Sequence, residues 1–567
     1  MTLLAGQKNL PLEFLTSIEL NDFMIYCMVA GKLLLSKKSK DDFFTQGKNI
    51  VKIHDRKFYR KTMIETARSV HQLTMAEFNK LPYCTIAIDE GKDSREKNLD
   101  FVIENPDSSM QPYPYLSLKI EDESSEGYLP LLKQGLLYAE RHGIKVACVV
   151  ADGNRAQKKC FSIKWKDSLR YTAASKFIKS IIFIPCLCHR VNNALVHAFN
   201  SSEEIQKAIL DLRALGDQCA RNQEDLKAKA PRNITTRWVY DFNIINFIRT
   251  HQGRIKLFTE INESIEPLFP NLLIYHDLVS RFESTSTFLC EAYTLLMRSI
   301  KAFEELIDKG NPYSEKYSSA LYSKTFKSDE GGVWLLAYLL TRNGHRENFN
   351  ITIGKPNIPN HPYLNFFHIP PFNEDEDPIE HMFDEEKISE DECQFFGDDE
   401  TSDNEESEDD NDEQSEINEP QLEQNEVEMD AGFQDTGVQT VGFESATSIL
   451  TKAKEFLKQQ LLLHDYSEIS ASTAIKRFNE YLENADPFPT CVIDGKIGFS
   501  WMQIKMEYPA YAPIAEIALK LHSSPCSEAS CERTISTQKF ILNLRRQNSS
   551  RDLLDARLKL MRAKMKN

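Results

Sequence analysis

The chain has no apolar run long enough to cross a bilayer. Its longest runs, such as the one containing Val333 to Leu340, fall well short of the roughly 20 residues a spanning helix needs. No secretory leader is visible, and the 12 cysteines of 567 residues are scattered without the dense spacing of a disulfide framework, which predicts reduced thiols in an intracellular protein. The first eighty residues hold only Cys27, His54 and His71 as soft ligands, too few for a zinc finger. The pairs Lys37-Lys38 and Arg545-Arg546 are too short to count as a nuclear import signal. Positive charge is also scarce, with 68 Lys and Arg against 85 Asp and Glu, a formal net of −17.

That deficit is local. Residues 371–430 contain 28 acidic residues and one Lys, a net of −27, which leaves 67 basic against 57 acidic residues elsewhere, or +10. The acidic stretch, 371–445, lacks the apolar density to fold and is predicted to be disordered. The remainder, in a chain 41% hydrophobic, is long enough for several domains.

Residues 1–80 read as helical, with Phe14, Ile18, Phe23, Ile25 and Met28 giving an apolar pattern. Lys52, Arg56, Lys57, Arg60 and Lys61 follow at spacings that put them on roughly one side of a helix, either a solvated face or a phosphate contact. Over 81–245 strand-like and helical stretches alternate. CTIAID, NLDFVIEN and YPYLSLKI come first, followed by a helix with Leu129, Leu132, Leu136 and Leu137 on one face. A strand within IKVACVVAD, a helix from about Asn154, the strand-like SIIFIPCLCH and the helix RVNNALVHAF complete the series. This is the order of an α/β RNase H-like core, a mixed five-stranded sheet flanked by helices. Asp89 and Asp152 each end an apolar β-branched run, the place where open α/β sheets put their chemistry, and together they begin to describe a carboxylate metal site. Residues 246–370 and 446–497 read as a large all-α insertion and its continuation. In it Leu289, Tyr293, Leu296, Ile300 and Phe303 form an amphipathic stripe expected to pack as core.

The segment 498–567 carries Trp501, the pair Tyr508-Pro509, the apolar helix Ile514 to Leu521 and the serine-rich SSPCSEASCERTIS. It resembles the C-terminal dimerisation region of hAT-superfamily DNA transposases. From there the resemblance extends back to about residue 81: Asp89 and Asp152 match the family's first two catalytic aspartates, Cys186 and His189 its CxxH motif, and Thr236-Arg237-Trp238 its TRW motif. The resemblance implies a catalytic triad of Asp89, Asp152 and Glu532 holding Mg2+ or Mn2+, with Glu528, one turn before Glu532, as the rival third acid. It further implies cleavage and strand transfer on double-stranded DNA by a nuclear homodimer or higher oligomer. Arg237 would bind phosphate, and Trp238 would stack on an unpaired base or else belong to the core.

Cys186 and His189 alone do not make a zinc site and are expected to be structural, at the junction between strand and helix. Ser524 and Pro525 suggest the cap and first turn of a helix bearing Glu532. Leu554, Leu558 and Met561 lie on an apolar stripe, expected either to pair with a partner chain, as the resemblance implies, or to be covered by its own domain. Two features depart from the family: Gly91 stands where a Trp is often found, and no N-terminal BED-type zinc finger is present. These departures keep open a derived DNA-binding and dimerisation protein without catalysis.

Overall fold

In the computed structural model, residues 56–341 and 446–562 are described apart from short segments, the longest being 232–239, 484–489 and 542–550. Lys52, Arg237, Trp238 and the acidic stretch 371–445 lie outside the described residues, as do the side chains of Arg56, Lys57 and Met561. The chain divides into two units, 1–359 with 444–567 and 360–443, and every described residue belongs to the first.

Helix α1 (Arg56–Asn79) leads into a meander of β1 (Cys84–Lys92), β2 (Lys97–Glu104) and β3 (Tyr113–Lys119), paired antiparallel. After α2 (Ser125–Arg141), β4 (Val146–Ala151) returns parallel to β1. A short helix, α3 (Arg155–Cys160), precedes β5 (Ile182–Pro185), which is parallel to β4. The sheet order is β3-β2-β1-β4-β5, so the mixed five-stranded sheet expected from the alternation of apolar runs is present. All six residues of β4 are buried, which is why its sequence, VACVVA, is apolar at every position rather than at alternate ones. On one face Ile86, Ile88, Leu99, Phe101 and Val149 pack with Met75 and Phe78 of α1 and with Tyr128, Leu132 and Leu136 of α2. On the other, Ala87 and Val102 meet Cys531, which comes from near the end of the chain.

A helical stretch follows the sheet. It consists of α4 (Leu187–Phe199), α5 (Glu203–Arg221), α6 (Tyr240–Thr250), α7 (Leu268–Glu283), α8 (Leu289–Asp308), α9 (Ser314–Thr325) and α10 (Gly331–Leu339). It resumes as α11 (Ala446–Leu463), which packs on α10, and α12 (Glu468–Glu483). The expected stripe of α8 is core: Leu289, Tyr293, Leu296, Ile300 and Phe303 are all buried. Within 446–497, read from sequence as helical throughout, β6 (Thr490–Ile493) pairs antiparallel with β7 (Lys496–Phe499). Period-based reading passes over so short a hairpin, because four residues a side carry almost no pattern.

The terminal segment folds as α13 (Trp501–Glu507), α14 (Ala512–His522), α15 (Ala529–Ile541) and α16 (Arg551–Arg562). Trp501 donates from Nε1 to the Leu340 carbonyl at 2.8 Å, tying this segment to the end of α10. Helix α16 packs on α1 and β3, and Leu554 and Leu558 are 4% and 3% exposed within the single chain. These two leucines of the stripe expected to meet a partner are therefore covered by their own domain. Burial of each leucine contributes about 1.5–3 kcal/mol to the fold rather than to association. No helix among the described residues is long and apolar enough to cross a membrane.

Candidate active site

Ile88 of β1 lies opposite Ala151 of β4 in the parallel register. The next residues, Asp89 and Asp152, therefore sit side by side where β4 ends, on strands roughly 4.8 Å apart. The chain turns sharply after Asp152. Gly153 takes φ +85°, which only glycine adopts without strain, and Asn154 caps α3 by accepting from the Ala156 N–H at 2.9 Å. Asp152 Oδ1 accepts the Asn154 N–H at 2.6 Å, and Asp89 Oδ1 accepts the Glu90 N–H at 2.7 Å.

Glu90 braces β1 against the turn that follows β4. Its carboxylate accepts from Lys97 Nζ at 2.6 Å, Gln157 Nε2 at 3.0 Å, Asn154 Nδ2 at 3.3 Å and the Tyr128 hydroxyl. It thus holds the turn that carries Asp152 to the strand that carries Asp89. No sequence signal distinguished Glu90 from its neighbour Asp89.

The third acid arrives through the serine-rich segment, whose hydroxyls are consumed one by one inside the protein. Ser527 Oγ donates to the Phe282 carbonyl at 2.6 Å and Ser530 Oγ to Glu104 at 2.9 Å. The Ser523 carbonyl accepts from Thr85 Oγ1 at 3.1 Å. Main-chain bonds fix the rest, from Leu187 N–H to the Cys526 carbonyl at 3.0 Å and from Leu289 N–H to the Ser524 carbonyl at 3.0 Å. Helix α15 begins at Ala529, not after Pro525, and the Ser524 hydroxyl goes to the Pro525 carbonyl instead of capping it. The expected cap fails because residues 524–526 are used to cross the sheet and meet α4 and α8. Arg533 then anchors α15 to the last turn of α7 through the Glu283 carbonyl at 2.9 Å.

Glu532 in the first turn of α15 is half-buried, whereas Glu528 just before the helix is wholly buried. Both act electrostatically on Asp89. Burial first and then the like charge of Glu528 push Asp89 well above the usual carboxylate range, with Glu532 adding to the shift and the Glu90 N–H opposing it. Asp152 is raised by burial, against the Asn154 N–H and His189 and with the charge of Glu90. Burial takes Glu532 up to about 7, opposed by His189 and reinforced by Glu528 and Glu283. Asp89 is thus within electrostatic reach of Glu532 and Glu528, and Glu528 of Asp152, all beside the interior strands β1 and β4.

His189 is the counter-charge of this cluster. Its Nδ1 lies 2.5 Å from Glu528 Oε1, an ion pair rather than a well-aligned hydrogen bond. Burial disfavours its charge, yet contact with Cys186 and Glu528 outweighs that and raises its pKa to about 12. Cys186 occupies the N-cap position of α4 without a capping bond from its side chain. The ligand atoms of Cys186, His189 and Glu528 all lie within 4.8 Å of one another, a group that could hold a metal ion. Among the described residues this is the tight donor group, and the sequence-derived triad Asp89, Asp152 and Glu532 does not form one. The sequence marks the cysteine and histidine by their spacing but not their partner, which lies 339 residues after His189 (528 less 189).

The room around Gly91 is also decided here. A Cβ there would sit 2.8 Å from Asp100 Oδ2 and 3.1 Å from Ile535 Cγ1, so α15 leaves no space for a larger side chain two residues after Asp89. Of the residues expected to meet DNA, Arg60 is exposed on α1. Comparison with protein-family models and with curated proteins finds no match.

Proposed function

We propose that the chain is a hAT-like DNA transposase built on an RNase H-like sheet, cleaving and joining double-stranded DNA with a carboxylate triad of Asp89, Asp152 and Glu532. The observation that carries this reading is the approach of Asp89, inside β1 where its pairing with β4 stops, and Asp152, just past the end of β4, with a glutamate delivered by α15. Oxygen donors alone suit a hard cation such as Mg2+ or Mn2+. Burial, and after it the like charge of Glu528, raises Asp89, and a cation held among these carboxylates would offset both. Cations held by these three residues would activate water or a 3′-hydroxyl and stabilise the leaving oxygen.

The protein's own part is positional. Glu90 orients the Asp152 turn, Arg533 and Ser527 fix α15 against α7, and the His189 charge keeps neighbouring carboxylates closer to their ionised form. Glu532 rather than Glu528 is assigned the third role because it is half-exposed. Glu528 has no accessible surface through which to meet a substrate. Action as a homo-oligomer in the nucleus belongs to the same proposal, with an interface other than the α16 stripe.

The test is nicking of duplex DNA carrying the element's own ends, with Mg2+ or Mn2+ and with EDTA. Asp89→Asn, Asp152→Asn and Glu532→Gln should each lower cleavage at least about a hundredfold, since each removes part of the electrostatic stabilisation of the transition state. Circular dichroism and DNA binding should be retained. Cleavage that survives Glu532→Gln but not Glu528→Gln would reassign the third acid. Metal-independent binding without cleavage would leave a DNA-binding protein derived from a transposase.

A further inference from the structure

We infer that Cys186, His189 and Glu528 form a zinc site, distinct from the oxygen-only triad, which locks the C-terminal segment to the junction of β5 and α4. Three observations carry it. The donors come from both ends of the domain yet have their ligand atoms within 4.8 Å of one another. Glu528 is 0% exposed, and neither of its carboxylate oxygens has a well-aligned hydrogen bond; the groups beside it are His189 and Cys186, the other two donors. The His189 charge offsets part of the cost of burying that carboxylate, and an ion bound to all three donors would offset it further. Finally, the backbone around the group is already pinned, by Cys186 N–H to the Ala151 carbonyl at 2.7 Å and Leu187 N–H to the Cys526 carbonyl at 3.0 Å, as a preorganised site requires.

The donor set decides the ion. A thiolate, an imidazole and one carboxylate suit Zn2+, whereas Mg2+ avoids sulfur. Bonds of about 2.0–2.1 Å to nitrogen and oxygen place tetrahedral ligands roughly 3.3 Å apart, so the His189–Glu528 pair at 2.5 Å opens by about 1 Å as the ion replaces the proton between them. Binding deprotonates the Cys186 thiol and releases the His189 proton. The bound charge of +2 takes over from His189 in offsetting Asp89 and Asp152. Water or a neighbouring carboxylate completes the fourth position, as in sites with three protein ligands.

The experiment uses the full chain and does not read DNA cleavage, so its outcome is independent of the function proposed above. Protein purified with Zn2+ and dialysed should retain one equivalent by elemental analysis. Replacement with Co2+ should give tetrahedral visible bands and a thiolate-to-cobalt charge-transfer band. Cys186→Ser and His189→Gln should each weaken retention at least a hundredfold, while Glu532→Gln keeps the full equivalent. Glu528→Gln, which preserves shape, should lower affinity without unfolding the chain by circular dichroism. Zinc retained equally by Cys186→Ser, cobalt bound without a sulfur band, or no zinc retained by the folded wild type would each overturn the site. If Cys186→Ser fails to fold, the cobalt spectrum of the wild type and retention by Glu528→Gln decide between the same outcomes.

Discussion

Glu104 lies inside the protein between β2 and α15, accepting one hydrogen bond from Ser530, and burial pushes its carboxyl up to about 7. The folded pKa is thus above the ordinary value of 4.5. The stability this group contributes is fully present below the unfolded pKa and is lost as pH rises through about 7. At about 1.4 kcal/mol per pH unit the two values differ by roughly 3 kcal/mol, an upper figure for the loss. Glu104→Gln should therefore leave stability at pH 4 nearly unchanged and raise it at pH 8.5, as urea melts at the two pH values would record; a variant that loses as much as the wild type over this range would contradict the assignment. Gly91 makes the opposite point, that a single missing Cβ can be required. Gly91→Ala should cost about 1–3 kcal/mol, as overpacking does, because the new methyl meets Asp100 and Ile535, and shifting α15 to relieve the clash would carry Glu532 with it. Thermal unfolding measures the first effect. Metal-dependent nicking measures the second, which should fall further than the stability loss accounts for.

At the scale of elements, α16 tests whether an amphipathic stripe is an interface or a core. Replacing Leu554 and Leu558 with Ser should destabilise the domain by about 2–5 kcal/mol per site and leave the sedimentation of whatever remains folded unchanged. A variant that keeps its melting temperature and instead falls from dimer to monomer would return the stripe to a partner. The sequence made most of the sheet legible, since β1, β4 and β5 are short runs rich in β-branched residues, β2 and β3 add apolar and aromatic ones, and the two aspartates follow two such runs. It also marked Cys186 and His189 as a junction, which they are. It misplaced the start of α15, because Ser524 and Pro525 have cap-like chemistry that the tertiary contacts of 524–526 override. It was silent on Glu528 as partner of His189 and on Glu90 as the brace, and it left open whether α16 is covered by its own domain, because all three depend on residues brought together from distant parts of the chain. Periodicity gives the apolar face of a helix but not what covers it.

On the scale of the whole molecule, charge is unevenly distributed: −27 over 371–430 and +10 over everything else. An acidic tract on the same chain competes with phosphates for basic surface at high effective concentration. Deleting 371–430 should tighten non-specific duplex binding by about tenfold at low salt and steepen its salt dependence, measured by fluorescence anisotropy across a salt series. Equal affinity at low salt would remove the competition. The wide separation of the acids along the chain has a consequence in time. Asp89 and Glu532 are 443 positions apart (532 less 89), and at roughly 5–20 residues per second a ribosome takes about 20–90 s to pass from one to the other. Throughout that interval β1 and β4 can form, yet the acid cluster has no α15. A nascent chain, a premature-stop product or a fragment cut anywhere between the two ends therefore lacks Glu532. Any chemistry that needs Glu532 is withheld until α15 has been made.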